Sequence, residues 1–307
     1  MLARGVLCGW LSLALIGCSS VTPDPVVGDG VDGGAIEDPG QNAGCQGGSD
    51  LVYVVDSDNR LLSFDPTKVG QSDPFSQIGT LSCPAGAAYP DIGETAATPF
   101  SMSVDRSGTA WVLYSSGEVF KVSTANAACT PSNFSKGQKG FEVFGMGFVS
   151  NTAGSNDETL FVAGGEASQL SGGSLGTIDT SSLQVTDIAP ITAGDQNPEM
   201  TGTGDGELYG FFPGLFTNFI ARLDKSSGAV LEQWDLNPPT GAVSAWAFAH
   251  WGGKFYMFVT TEGLIGPGGS TVTVYDPATG METVAVANSP YRVVGAGVST
   301  CAPIVVK

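Results

Sequence analysis

The chain has 307 residues, 42% of them hydrophobic and only 14% charged, and its 30 Asp and Glu against 12 Lys and Arg leave a formal net charge of -18. No basic cluster occurs along it, which excludes nucleic acid as a partner and leaves no electrostatic footprint for an anionic membrane surface. The 44 glycines beside that apolar share point to many short strands joined by tight turns.

At the amino terminus Arg4 precedes an apolar run from Gly5 to Ile16 that closes in Leu15-Ile16-Gly17-Cys18. The run is shorter than the roughly 20 apolar residues that span a bilayer, and it has the layout of an export signal. The closing box resembles the lipobox of bacterial lipoprotein signal peptides. That resemblance implies removal of residues 1–17, a diacylglycerol on the Cys18 thiol and acylation of the new amino terminus. Each buried acyl methylene contributes about 0.8 kcal/mol, so several chains on one residue anchor a soluble domain to the membrane without a transmembrane helix. An extracytoplasmic, membrane-anchored protein is therefore expected, and Ser19 resembles the pattern that sends lipoproteins on to an outer membrane. A secretory peptide cleaved elsewhere, with a cysteine by coincidence, is the alternative.

Residues 18–44 read as the lipidated cysteine followed by a tether. From Ser19 to Gly44 there is no aromatic residue, no Lys and no Arg, and Gly, Pro and Asp abound. A flexible chain of that length spans roughly 30 Å. Asp29, Asp32, Glu37 and Asp38 lack the spacing of a calcium loop, so no metal is assigned to them.

Residues 45–307 repeat one pattern. Five segments, Leu51 to Val55, Ala110 to Tyr114, Thr159 to Ala163, Glu207 to Phe211 and Lys254 to Phe258, read as strands. Each is followed by a strand that ends in a turn, with Asp65, Asp179, Asp224 and Asp276 at its close, because an Asp side chain accepts from the next backbone N–H groups. Each is preceded by a strand of small and apolar residues: Ser101 to Val104, Gly145 to Val149, Met200 to Thr203, Ala245 to Ala249 and Val294 to Val298. Outer strands such as Val230 to Trp234 complete the units. This arrangement resembles the YVTN and NHL repeat families, which implies an all-β fold, a β-propeller of five four-stranded blades with the small-residue strands innermost. A β-sandwich or a β-helix is the competing architecture.

The last unit stops after its innermost strand and the first begins with its second strand. The C-terminal strand is therefore expected to complete the N-terminal blade. Of six cysteines, Cys8 leaves with the signal and Cys18 goes to lipid, which leaves four in an oxidising compartment. Pairing Cys45 with Cys301 ties the chain ends at the closing blade and leaves Cys83 with Cys129.

No catalytic constellation and no cofactor fingerprint is found. His250, the sole histidine, lines up with Asp105 of the second unit and reads as a turn residue. The loops that lead into innermost strands and those between second and third strands share one face of a propeller. They bring Asp56, Asp58, Glu94, Glu142, Glu166, Glu199 and Glu262 to one rim with Tyr89, Phe216, Trp246, Tyr291 and Arg292, while the innermost strands themselves are expected to be free of acids. This rim is the candidate ligand site, suited to a cationic or hydroxyl-rich ligand. A non-catalytic binding module for an envelope protein, peptide or glycan follows. A glycan-acting hydrolase using rim carboxylates and a purely structural envelope component are the alternatives.

Overall fold

Alternation along the second strands sets the architecture. In Val52–Asp56 every residue is buried, because Val52 and Val54 pack on one side with Ala247, Ala249 and Phe258, while Tyr53 and Val55 pack on the other with Met102, Val112 and Tyr114. A strand apolar on both faces must be covered by a sheet on each side, and the chain supplies them by repeating the unit in a ring. The computed structural model describes residues 36–37, 45, 50–169, 171–214, 217–263 and 266–306. The lipobox with Cys18 and most of the expected tether lie outside the described residues.

Within them, five antiparallel four-stranded blades stand around a common axis. Blade 1 runs outward as Val293–Gly297, Val52–Asp56, Arg60–Phe64 and Phe75–Thr80. Blade 2 is Pro99–Val104, Thr109–Tyr114, Val119–Ser123 and Cys129–Pro131. Blade 3 is Val143–Ser150, Glu158–Gly165, Ser174–Ile178 and Val185–Pro190. Blade 4 is Glu199–Gly202, Leu208–Phe212, Phe219–Leu223 and Val230–Asp235. Blade 5 is Val243–Trp251, Lys254–Gly263, Thr271–Asp276 and Met281–Val286, with a short flap, Gly266–Pro267, on its second strand. Each innermost strand lies against the next, and the last against the first.

Five apolar clusters fill the five gaps between blades. Phe64 anchors one of them, fully buried, with ring centroids 5.0 Å from Phe75 and 5.3 Å from Phe258. Truncating a phenylalanine so enclosed costs about 3–5 kcal/mol. The repeated Asp turns form as expected: Asp65 accepts from Thr67 N at 3.0 Å, Asp224 from Ser226 N at 2.9 Å and Asp276 from Ala278 N at 3.0 Å. Blade 2 has Ser123 in that place, accepting from Ala125 N at 3.3 Å.

The ring closes where the register placed it. Val293–Gly297 pairs with Val52–Asp56, Tyr53 opposite Gly297 and Val54 opposite Ala296. Cys45–Cys301 bonds the two chain ends and Cys83–Cys129 links the ends of the first two units. Disulfides of this kind belong to an oxidising compartment outside the cytosol. The Trp251 indole N–H adds a bond to the Asp50 carbonyl, and Gly252 N donates to Pro303 O at 2.7 Å. Two residues of the expected tether, Ile36–Glu37, pair with Val305–Val306, where the C-terminal strand offers them an open edge.

Candidate functional site

The innermost strands crowd the axis, and small residues let them do so. A Cβ at Gly145 would strike the Pro198 carbonyl, and one at Gly295 would sit 2.9 Å from Met102 N. Side-chain oxygens stitch neighbouring strands: Ser103 Oγ accepts from Phe148 N at 2.9 Å, and Thr201 Oγ1 from His250 N at 3.2 Å. One acid interrupts this small-residue lining. Glu199, expected on the rim, opens the innermost strand of blade 4 and is 3% exposed. The Ser101 hydroxyl, on blade 2, donates to Glu199 Oε2 at 2.9 Å. Burial pushes the Glu199 carboxyl well above the usual carboxylate range, with the Ser101 bond pulling the other way, so its neutral form is favoured. The expectation of acid-free innermost strands is thus corrected, because strand pairing begins one residue past Pro198 and draws Glu199 inward.

Above Glu199 the channel opens into a cavity of about 170 Å³. It joins four of the expected rim residues, Glu94, Glu199, Trp246 and Arg292, with Ile92, Pro99, Phe100, Ser244, Ala245 and Val294. Glu94 is held by hydroxyl donors: Thr98 Oγ1 at 3.0 Å and Ser115 Oγ at 2.7 Å, both to its Oε2. Arg292 reaches across the blade gap and donates from Nη2 to the Ser244 carbonyl at 2.6 Å. Trp246 and Phe100 are half-buried, and with Glu199 they also line a smaller void toward blade 3.

The other rim residues lie elsewhere. Tyr89 begins a short 3-10 turn and has the Lys136 ammonium 5.4 Å from its ring centroid; burial and the charges of Glu142 and Glu118 raise its phenol. Glu142 accepts from Ala167 N at 2.9 Å, and exposed Glu166 lines a separate polar hollow of about 190 Å³ over blade 3. Glu262 is exposed on the blade 5 hairpin, opposite Pro267. Tyr291 packs 5.3 Å from Phe75, with the Arg60 guanidinium 5.0 Å from its ring. Arg60 also pairs with Asp56 at 2.5 Å and Asp58 at 2.7 Å. Phe216 lies outside the described residues. Residue type and a position in or beside a loop signalled Glu94, Trp246 and Arg292. Phe100, Ser101 and Ser244 carry no signal of their own in a strand of small and apolar residues.

At the opposite mouth Arg106 is 7% exposed. Its Nη1 donates to Thr300 Oγ1 at 3.0 Å and its Nη2 to Asn156 Oδ1 at 3.3 Å and Cys45 Sγ at 3.4 Å. Glu158 accepts from Arg106 N and from the Thr300 hydroxyl, each at 2.8 Å, and burial raises its carboxyl to about 7. His250 is no turn residue. The blade 5 turn is only Gly252-Gly253, which leaves His250 in the strand opposite Phe255. There it is 8% exposed, stacked 5.8 Å from Tyr209, and burial lowers its imidazole to about 4. It is neutral at ordinary pH. Among the described residues no group of three or more His, Cys, Asp or Glu is placed to hold a metal ion.

No protein-family model matches the chain, and no curated protein matches it. Among solved structures it is similar to a chain in the crystal structure of a nidogen/laminin complex, with 11% identity, a TM-score of 0.46, and 80% of this chain and 97% of that one covered. The propeller is established by strand order and register within the chain itself.

Proposed function

We propose that this protein is a bacterial cell-envelope lipoprotein, anchored through Cys18, whose propeller binds a protein, peptide or glycan partner at the channel mouth without catalysing a reaction. In this reading residues 1–17 are the cleaved signal, the stretch up to residue 44 is the tether, and the bilayer is reached only through lipid. The observation that carries the binding function is the convergence of Trp246, Phe100, Arg292 and Glu94 on one concave cavity in a ring otherwise packed with small residues. Half-buried aromatic and arginine side chains are the residue types that dominate recognition energies. Intact anchored protein used to capture its partner from membranes should do so, and Trp246→Ala should weaken capture by about tenfold or more with the fold retained. Capture unaffected by Trp246→Ala removes the site from this mouth. Separately, Cys18→Ser should abolish labelling by a fatty-acid probe and leave the precursor uncleaved; persistent labelling rejects the anchor.

A glycan-acting hydrolase is the second reading, favoured by the placement of Glu94 and Glu199 on one cavity, with burial raising the Glu199 carboxyl in the direction a general acid needs. Against it, Glu199 lies at the floor with an oxygen bound to Ser101. Hydrolysis of an aryl glycoside by the protein, abolished by Glu199→Gln, would replace the binding reading with this one.

A further inference from the structure

The chemistry of the mouth cavity differs from what its acids suggest. Counting carboxyl groups gives a site for cations, yet both carboxyls already hold hydrogen-bond donors. Glu94 already takes hydroxyl bonds from Thr98 and Ser115. Glu199 is enclosed and takes a hydrogen bond from Ser101, and burial disfavours its ionised form. The group left over is cationic. Arg292 has one side-chain bond, to the Ser244 carbonyl, and among the described residues no carboxylate lies within 4.0 Å of its guanidinium. A guanidinium has further N–H groups in a planar fork that suits a carboxylate, and a half-desolvated fork without an anion is an unmet demand. Around it the walls are apolar: Phe100, Trp246, Ile92 and Val294.

We propose that the channel mouth binds a carboxylate carried on an apolar body, with the anion on Arg292 and the body against Trp246 and Phe100. This rests on the reading of the mouth as the binding site. Glu199, whose ionised form burial disfavours, lines the same cavity and opposes an anion little, whereas a cation would meet the Arg292 charge with Glu94, already bonded to two hydroxyls, as its carboxylate partner. The apolar walls supply burial that a phosphate or a fully hydroxylated sugar acid would not use.

Benzoate, benzamide and benzylamine share one ring and differ in charge, so they separate the contributions. They are titrated into the intact, isotopically labelled protein in detergent solution, with the Trp246 indole N–H resonance, assigned through Trp246→Phe, as the reporter. Benzoate is expected to bind about tenfold or more tighter than either analogue. Arg292→Gln should remove that preference while leaving benzamide within about twofold, and Arg292→Lys should keep part of it, since the charge remains but the fork is lost. Acetyl-Gly-Phe binding tighter than benzoate assigns the carboxylate to a peptide C-terminus, and the reverse order assigns it to a free acid; either supports the proposal. Binding that moves the Trp246 resonance yet favours benzylamine or benzamide overturns the carboxylate inference and leaves the site standing. No shift of that resonance with any probe at its solubility limit rejects the site and the inference together.

Discussion

The two mouths of the channel each hold an arginine and a glutamate, and they use them differently. At one, the Arg106 guanidinium reaches Thr300, Asn156 and Cys45, while Glu158 ties the Arg106 backbone to the Thr300 hydroxyl. These bonds surround the place where the chain ends meet and the Cys45–Cys301 bond closes the ring. At the other, among the described residues, the Arg292 side chain reaches only the Ser244 carbonyl, and Glu199 takes bonds from the Ser101 hydroxyl and the Met200 backbone. A ring must be locked somewhere, and here the polar side chains at the locking end are engaged in doing it. The end remote from the termini carries longer connections, such as the loop from Leu81 to Thr98, and is left with side chains that can face a ligand.

Removing the lock should produce the largest effect. Replacing Cys45 and Cys301 together with Ser opens a loop of 256 residues and is expected to cost about 5 kcal/mol on the chain-entropy estimate, an upper value, read as a lower denaturation midpoint. Opening Cys83–Cys129, with a separation of 46, should cost about 4 kcal/mol. Equal or reversed losses would place the closing burden elsewhere. A smaller effect belongs to Glu158. Its folded value of about 7 lies above the ordinary 4.5, so the fold takes up a proton in that window that the unfolded chain does not. The stability from neutral Glu158 is full below 4.5 and is lost as pH rises through about 7, with Asp105 raising and Arg106 lowering the group. His250 acts oppositely: lowered from 6.5 to about 4, it contributes stability that is lost as pH falls through that range. Comparison with Glu158→Gln isolates the carboxyl. The Tm gain on acidification from about pH 7.5 to about pH 5 should be smaller in the variant. An identical gain would mean that the Glu158 carboxyl does not change charge at the locked mouth over this range.

Features that repeat were legible in the sequence, and features that arise between repeats were not. Asp65, Asp179, Asp224 and Asp276 recur because each unit needs the same turn, and the incomplete first and last units give the closure register and with it both disulfides. Glu199 was legible as an acid near a loop but not as a channel residue, since one step of strand pairing beyond Pro198 decides between rim and axis. Tyr291, in a loop, and Trp246, near the start of an innermost strand, look alike in the sequence as aromatics at the rim. Both are half-buried, but the first packs on Phe75 under Arg60 while the second lines the cavity, a difference set by neighbours far apart in the chain. His250 matches Asp105 in the sequence but Val104 in the structure, because the blade 5 turn is one residue shorter than the Asp105 turn.

Site-directed photo-crosslinking from both faces tests the division between the mouths most directly. One protein carries the photoreactive residue at position 246, on the open mouth, and a second carries it at position 226, in an Asp turn on the locked face, each produced in its native cells. A partner crosslinked from position 246 and absent from position 226 is the expected result. Crosslinking from position 226 alone, with both proteins folded, would contradict the assignment and move the binding face to the locked end.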